Sequence, residues 1–237
     1  MLKLRALLFA AGFYPLTIIY AIPCLIIGPL LPFRARFVFF TGINYFYIFW
    51  LRVTCGVKTD VEGLENLPKD QPYVAISNHQ SEWETLYFQL VFRPQAVVLK
   101  KELLKIPFFG WALGLLKPIA LDRSMRREAI KQLLRQGSER LAEGIPILIF
   151  PQGTRVAVGQ MGRFNKGGAM LAVKNKVPIV PVVHNAGHCW PGQSFVKYPG
   201  TVKLVIGKPI QTEGRTVDDV HEEVESWLVE QMARIGA

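Results

Sequence analysis

Beyond Gly56 the chain alternates between short apolar runs and longer amphipathic stretches, and the two patterns predict different elements. Val57–Val61, Tyr73–Ser77, Ala96–Leu99, Pro118–Leu121, Ile145–Phe150, Ile179–Val183 and Val202–Ile206 read as strands. Helical candidates lie between them. The clearest spans Arg126–Glu143, where Ile130, Leu133, Leu134 and Leu141 recur at helical spacing and Gly144 supplies a C-terminal cap. A last helix, Val217–Ile235, gathers Val220, Val224, Trp227, Leu228 and Met232 on one side. Strands interleaved with helices predict an α/β fold: a mixed, mostly parallel sheet flanked by helices.

The first 56 residues follow neither pattern. No charged residue occurs from Ala6 to Phe33, after an opening that carries Lys3 and Arg5. The run is long enough to cross the hydrocarbon core of a bilayer, which takes about 20 apolar residues in a helix. Pro15, Pro23, Pro29 and Pro32 predict a kinked or broken helix rather than a straight one. A second uncharged run, Phe37–Leu51, is aromatic-rich and short for a span. Arg34 and Arg36 separate the two runs, and Arg52 and Lys58 follow. Basic residues on both sides of the first run favour a helical hairpin lodged in one leaflet over a clean crossing. A cleaved signal peptide fits less well, because the run exceeds a signal core and no small-x-small site closes it. The predicted organisation is a membrane-seated helical pair over residues 1–56 and an α/β domain over 57–237.

Composition narrows the partners. The 237 residues carry 28 Lys and Arg against 18 Asp and Glu, a net charge of +10, while half are hydrophobic. A basic surface attracts anions. Paired with this much apolar content, it points to a membrane surface and not to nucleic acid, for which no zinc-finger spacing, aromatic RNA-binding signature or basic tail is present. Cys24, Cys55 and Cys189 are scattered, without a Cys-x-x-Cys pair, as expected for reduced thiols in a cytosolic setting.

Four segments carry candidate chemistry. In Asn78-His79-Gln80-Ser81-Glu82-Trp83-Glu84, a histidine follows a strand and a carboxylate comes five residues later. Imidazole accepts a proton near neutral pH, and a carboxylate can orient it and stabilise its charged form. Residues five apart lie about 140° apart on a helix, so the pair meets only if His79 ends the strand and Glu84 opens the next helix. Ser81-x-x-Glu84 is equally a capping box, and the two roles are compatible. The second segment runs from Lys100-Lys101-Glu102 through Pro107-Phe108-Phe109-Gly110 to Asp122-Arg123; its cations suit a phosphate or a solvated edge, and its apolar residues a tunnel or plain packing. The third, Phe150-Pro151-Gln152-Gly153-Thr154-Arg155, offers a glycine for close approach and an arginine for bidentate grip on phosphate, although Pro-x-Gly is also an ordinary turn. The fourth, Asn165-Lys166-Gly167-Gly168, presents backbone N–H groups at a helix start. His184 and His188 have metal-pair spacing, but without a companion Glu, and with Gly187 between them, no metal site is expected.

Taken in order, Asn-His-x-Ser-x-x-acid, Lys-Glu-Leu…Pro-x-x-Gly…Asp-Arg, Phe-Pro-x-Gly-Thr-Arg and Val-Pro-Val resemble the glycerolipid acyltransferase family, above all its bacterial 1-acylglycerol-3-phosphate acyltransferases. The resemblance covers roughly residues 57–210 and also implies the N-terminal membrane-seated pair. It implies one-step acyl transfer from acyl carrier protein or acyl-CoA to the sn-2 hydroxyl of 1-acylglycerol-3-phosphate, giving phosphatidic acid, with no cofactor. By this likeness His79 is the general base, Glu84 orients it, and Lys100, Lys101, Arg123, Gly153, Thr154 and Arg155 bind substrate, with Gln152 and Lys166 as further candidates. It implies a bacterial inner membrane with the catalytic domain facing the cytoplasm. Two residues depart from the family pattern: Glu84 stands where Asp is usual, and Gln152 where Glu is usual. The second keeps another lysolipid, such as a lyso-ornithine lipid or lysophospholipid, open as acceptor. A non-catalytic lipid-binding protein is the remaining alternative, and it has no need of a base.

Overall fold

A computed structural model describes residues 1–122 and 124–237. Helix α1 (Leu2–Ile27) runs unbroken through Pro15 and Pro23, continues as a 3₁₀ turn over Gly28–Leu30, and stops before Pro32. The expected break falls at Pro29 and Pro32 and not at Pro15 or Pro23. Helix α2 (Phe33–Thr41) and helix α3 (Ile43–Cys55) return antiparallel to α1. The pairing is visible in the hydrogen bonds: Arg5 Nε donates to Thr54 O, Trp50 Nε1 to Leu8 O and Tyr20 Oη to Phe39 O, and Thr17 Oγ1 meets Tyr47 Oη. Gly56, at φ +73, ends α3 and turns the chain into the sheet.

The sheet contains β1 (Val57–Glu62), β2 (Val74–Ser77), β3 (Ala96–Lys100), β4 (Ile119–Leu121), β5 (Ile147–Ile149), β6 (Ile179–His184) and β7 (Gly200–Ile206), in spatial order β1-β7-β6-β2-β5-β3-β4. Every neighbouring pair is parallel except β6–β7. All seven strands coincide with the apolar runs, to within a few residues at their ends. The helices are α4 (Trp83–Val91), α5 (Phe109–Gly114), α6 (Arg126–Ala142), α7 (Gly167–Asn175) and α8 (Val217–Ile235). Gly144, at φ +73, follows α6 as its pattern predicted.

Side chains alternate across the pleat, so each strand feeds two cores. Val74, Ile76, Ile147 and Ile149 pack with α6, α7 and α8 on one face. Tyr73, Ala75, Leu148, Val180 and Val182 pack on the other with Trp83 and Phe88 of α4 and with Phe9, Leu51 and Cys55 of the N-terminal helices. The helical pair therefore shares a core with the sheet. Its outer side is different: Leu4, Leu7, Leu8, Ile19, Ile22, Ile26, Phe49 and Val53 are exposed. Both helical stretches, 2–30 and 33–55, are long and apolar enough to cross a membrane. An apolar face of this extent does not face bulk water stably. It seats the molecule at a membrane.

Candidate active site

The carboxyl ends of parallel strands are where open α/β sheets gather ligands, and three of the four sequence segments begin there. The chain after β2 carries His79, the chain after β5 carries Gln152 to Arg155, and Lys100 ends β3. Behind β2, residues 78–82 turn sharply into α4. Ser81 Oγ accepts the Trp83 N–H at 3.1 Å while Glu84 Oε1 accepts the Ser81 N–H at 2.8 Å, a reciprocal cap that fixes the helix start.

That cap also places the carboxylate. Glu84 is fully buried, and its Oε1 lies 2.7 Å from His79 Nδ1 and 2.9 Å from the Gln80 amide. An ionised carboxylate only accepts, so Nδ1 carries a proton, and in the neutral tautomer this leaves the lone pair on Nε2. Burial alone would raise the Glu84 pKa. The nearby His184 and His79, the His79 hydrogen bond and the Ser81 N–H outweigh burial and hold it below the ordinary value. Among the described residues no group hydrogen-bonds His79 Nε2. The imidazole stacks on Phe150, with centroids 4.2 Å apart and planes at 19°.

A second histidine lies behind the first. His184 is buried, with Nε2 3.9 Å from Glu84 Oε1, too far for a hydrogen bond. Its Nδ1 accepts the Ala186 N–H at 3.2 Å, so Nε2 bears the proton and donates to Asn78 O at 3.0 Å. Burial pushes its pKa below the usual histidine value, against the opposing pull of the Glu84 carboxylate and the Asn78 bond. His188 bonds Gly236 O at 2.6 Å instead. The two rings thus have separate partners, and among the described residues no cluster of three metal-ligating side chains occurs.

His79 opens onto a cavity of about 930 Å³. One wall comes from α1 and α3 through Phe13, Ile18, Ala21 and Tyr47; the other comes from α4, β3 and α5 through Leu86, Val98, Phe109 and Leu113. Of the predicted substrate residues, Lys100, Gly153, Thr154 and Arg155 line it with His79. Lys101, Gln152 and Lys166 do not: Lys101 is ion-paired to Asp122, and Lys166 to Asp218 at 2.6 Å. Arg123 lies outside the described residues. Arg155 is held by Glu82, with 2.8 Å between Nη1 and Oε1, and by Ser81 O, 3.3 Å from its Nε. Glu82 also lines the cavity, and its buried Oε2 has no partner. The sequence offered His184 only as half of a His184–His188 metal pair and gave Glu82 no role: one approaches His79 from 105 positions away, and the other is a surface-type residue inside the His79 segment.

The arrangement is an imidazole facing an apolar cavity, with Lys100 and Arg155 in the lining and a buried carboxylate behind the ring. It suits removal of a hydroxyl proton beside a lipid chain. Comparison with known proteins agrees. Residues 58–185 match the family model described as Acyltransferase, and the chain belongs to that family. The 1-acyl-sn-glycerol-3-phosphate acyltransferase of Pseudomonas aeruginosa is 49% identical over 214 residues, 89% of this chain and 83% of that protein. The Saccharomyces cerevisiae enzyme of the same name is 34% identical over 233 residues, covering 95% and 74%. The crystal structure of the 1-acyl-sn-glycerophosphate (LPA) acyltransferase PlsC from Thermotoga maritima aligns with a TM-score of 0.78 at 28% identity, covering 97% of this chain and 95% of that one.

Proposed function

We propose that this acyltransferase moves a fatty acyl group from acyl carrier protein or acyl-CoA to the sn-2 hydroxyl of 1-acylglycerol-3-phosphate, giving phosphatidic acid. The observation that carries the proposal is the His79–Glu84 pair, 2.7 Å apart, whose histidine lines an apolar cavity. His79 Nε2 takes the hydroxyl proton as the oxygen attacks the thioester carbonyl. The carbonyl becomes a tetrahedral oxyanion, and its collapse expels the thiolate. The imidazolium returns the proton to that sulfur, leaving an ester and a free thiol. Glu84 holds the Nδ1–H tautomer and offsets the charge that His79 carries between the two transfers. No serine nucleophile is required, and Ser81 is occupied as a cap.

Arg155, Thr154, Gly153 and Lys100 receive the phosphate, Arg155 by exchanging Glu82 for phosphate oxygens. The cavity takes the acyl chain. The exposed apolar side of α1–α3 rests in the inner membrane of a bacterial cell, with the sheet on the cytoplasmic side where both donors are found.

One observation favours a second reading. The ion pair to Glu82 reduces the positive charge that meets the acceptor, which suits a lysolipid with a less anionic headgroup. Purified protein in detergent, given both donors and a panel of lysolipids, separates the two. Fastest transfer to 1-acylglycerol-3-phosphate supports the first. Preference for a phosphate-free acceptor replaces it with the second, and no transfer to any acceptor rejects both.

A further inference from the structure

Gln152 stands where the resemblance suggested acceptor binding, yet its side chain does not line the cavity. Both ends of its amide are engaged elsewhere. Oε1 accepts the backbone N–H of His79 at 2.7 Å, and Nε2 donates to Met161 O at 2.7 Å. The side chain lies over the turn at Gly162, whose φ is +66 and where a Cβ would come within 3.4 Å of Gln152 Cγ. Four residues further on, the Val156 N–H donates to His79 O at 2.8 Å. One loop therefore grips the His79 peptide on both sides, taking its N–H and supplying its C=O.

The loop itself is held in place. Gly153 N donates to Phe150 O at 3.0 Å across Pro151 and Gln152, a turn with proline at its second position and a positive-φ glycine at its fourth. Phe150, at the head of this turn, stacks on the His79 ring. Ring face, peptide N–H and peptide C=O of one histidine are thus set by residues 150, 152 and 156, while Glu84 sets its Nδ1.

We infer that Gln152 is a positioning residue for His79 and not a substrate ligand. The inference rests on His79 being the base. Gln152 holds the His79 peptide so that Nε2 meets the acceptor hydroxyl, and it ties the 156–163 loop through Met161. The two arms are chemically separable. A glutamate can still accept the His79 N–H but cannot, when ionised, donate to Met161 O. Leucine or alanine can do neither.

The experiment compares wild type, Q152E, Q152L and Q152A by steady-state kinetics with 1-acylglycerol-3-phosphate and by thermal melting, with H79A alongside. Q152E and Q152L both lose the Met161 arm, so both should melt at a lower temperature than wild type. Only Q152L and Q152A lose the His79 arm. Their kcat should fall roughly ten- to a hundredfold, the scale of a small misplacement of a reacting group, with acceptor KM within about twofold. Q152E should keep kcat within a few-fold of wild type. If Q152L does not fold, Q152A supplies the same comparison. A raised acceptor KM with kcat retained in Q152L or Q152A would overturn the inference in favour of substrate contact. Unchanged kcat in those variants, or a Q152E as slow as Q152L, would also overturn it. An H79A variant with near-normal turnover would instead reject the base assignment itself, whatever Gln152 does.

Discussion

At the scale of single residues, the site depends on a carboxylate kept charged where water does not reach it. Glu84 is fully buried and accepts three hydrogen bonds on one oxygen, while its other oxygen has none. Glu84→Gln removes the charge that steadies the imidazolium, so kcat should fall about a hundredfold or more with acceptor KM little changed. A steady-state comparison with wild type checks this, and a pure KM effect would contradict it. Arg155→Ala should act oppositely, raising acceptor KM by roughly ten- to a hundredfold as a charge-assisted contact is lost. The buried groups also set a pH dependence of stability. Burial lowers the His184 pKa, so its contribution is complete above the ordinary histidine value of 6.5 and declines as pH falls below it. Glu84, also lowered, contributes fully above the ordinary glutamate value of 4.5 and loses that contribution as pH falls further. The signs agree. Melting temperature should be level above about pH 7 and drop steadily toward pH 4, and a flat profile would contradict this account. At this scale the sequence was legible for His79 and Glu84, whose spacing and cap are local. It did not show the place of His184 behind His79, the Glu82 pair or the Gln152 bond to His79, because partners 73 to 106 positions apart leave no periodic signal.

At the scale of elements, strands were the most legible part. Runs such as Ile147–Ile149 and Ile179–His184 are buried throughout, so nearly every position must be apolar. Strand β7, parallel to β1 and antiparallel to β6, has exposed Gly200, Thr201 and Lys203, so its apolar run begins later than the strand itself does. The first helical run breaks at Pro29 and Pro32 but not at Pro15 and Pro23. Proline removes an amide donor, which predicts a break; yet α1 packs along α3 over most of its length, and that packing keeps it continuous through Pro15 and Pro23. The join between helices and sheet rests on Gly56. A Cβ there would meet Arg5 Nη2 at 2.8 Å in addition to the positive φ. Gly56→Ala should destabilise by about 1–2 kcal/mol or more, read as a lower denaturant midpoint. An unchanged midpoint would show that the left-handed turn is not required.

At the scale of the whole molecule, residues 1–56 do more than hold the protein at a membrane. Phe9, Leu51 and Cys55 complete the core around Trp83 and Phe88, and Phe13, Ile18 and Tyr47 form one wall of the cavity. Deleting them should abolish cooperative unfolding and acyl transfer together, even in detergent. A soluble, active fragment beginning at Val57 would refute that. The basic, apolar composition pointed to a membrane, but composition cannot tell an anchor from a wall. That distinction came from which side chains face inward.

The central claim is that His79 is the base of an acyl transfer, and one assay meets it directly. Purified wild type and H79A, shown by melting to be equally folded, are given acyl-CoA or acyl carrier protein thioester with 1-acylglycerol-3-phosphate, and phosphatidic acid is measured. The account predicts steady product from wild type and a loss of roughly 10²- to 10⁴-fold in H79A, the usual worth of a positioned base. Near-normal turnover by a folded H79A would contradict it.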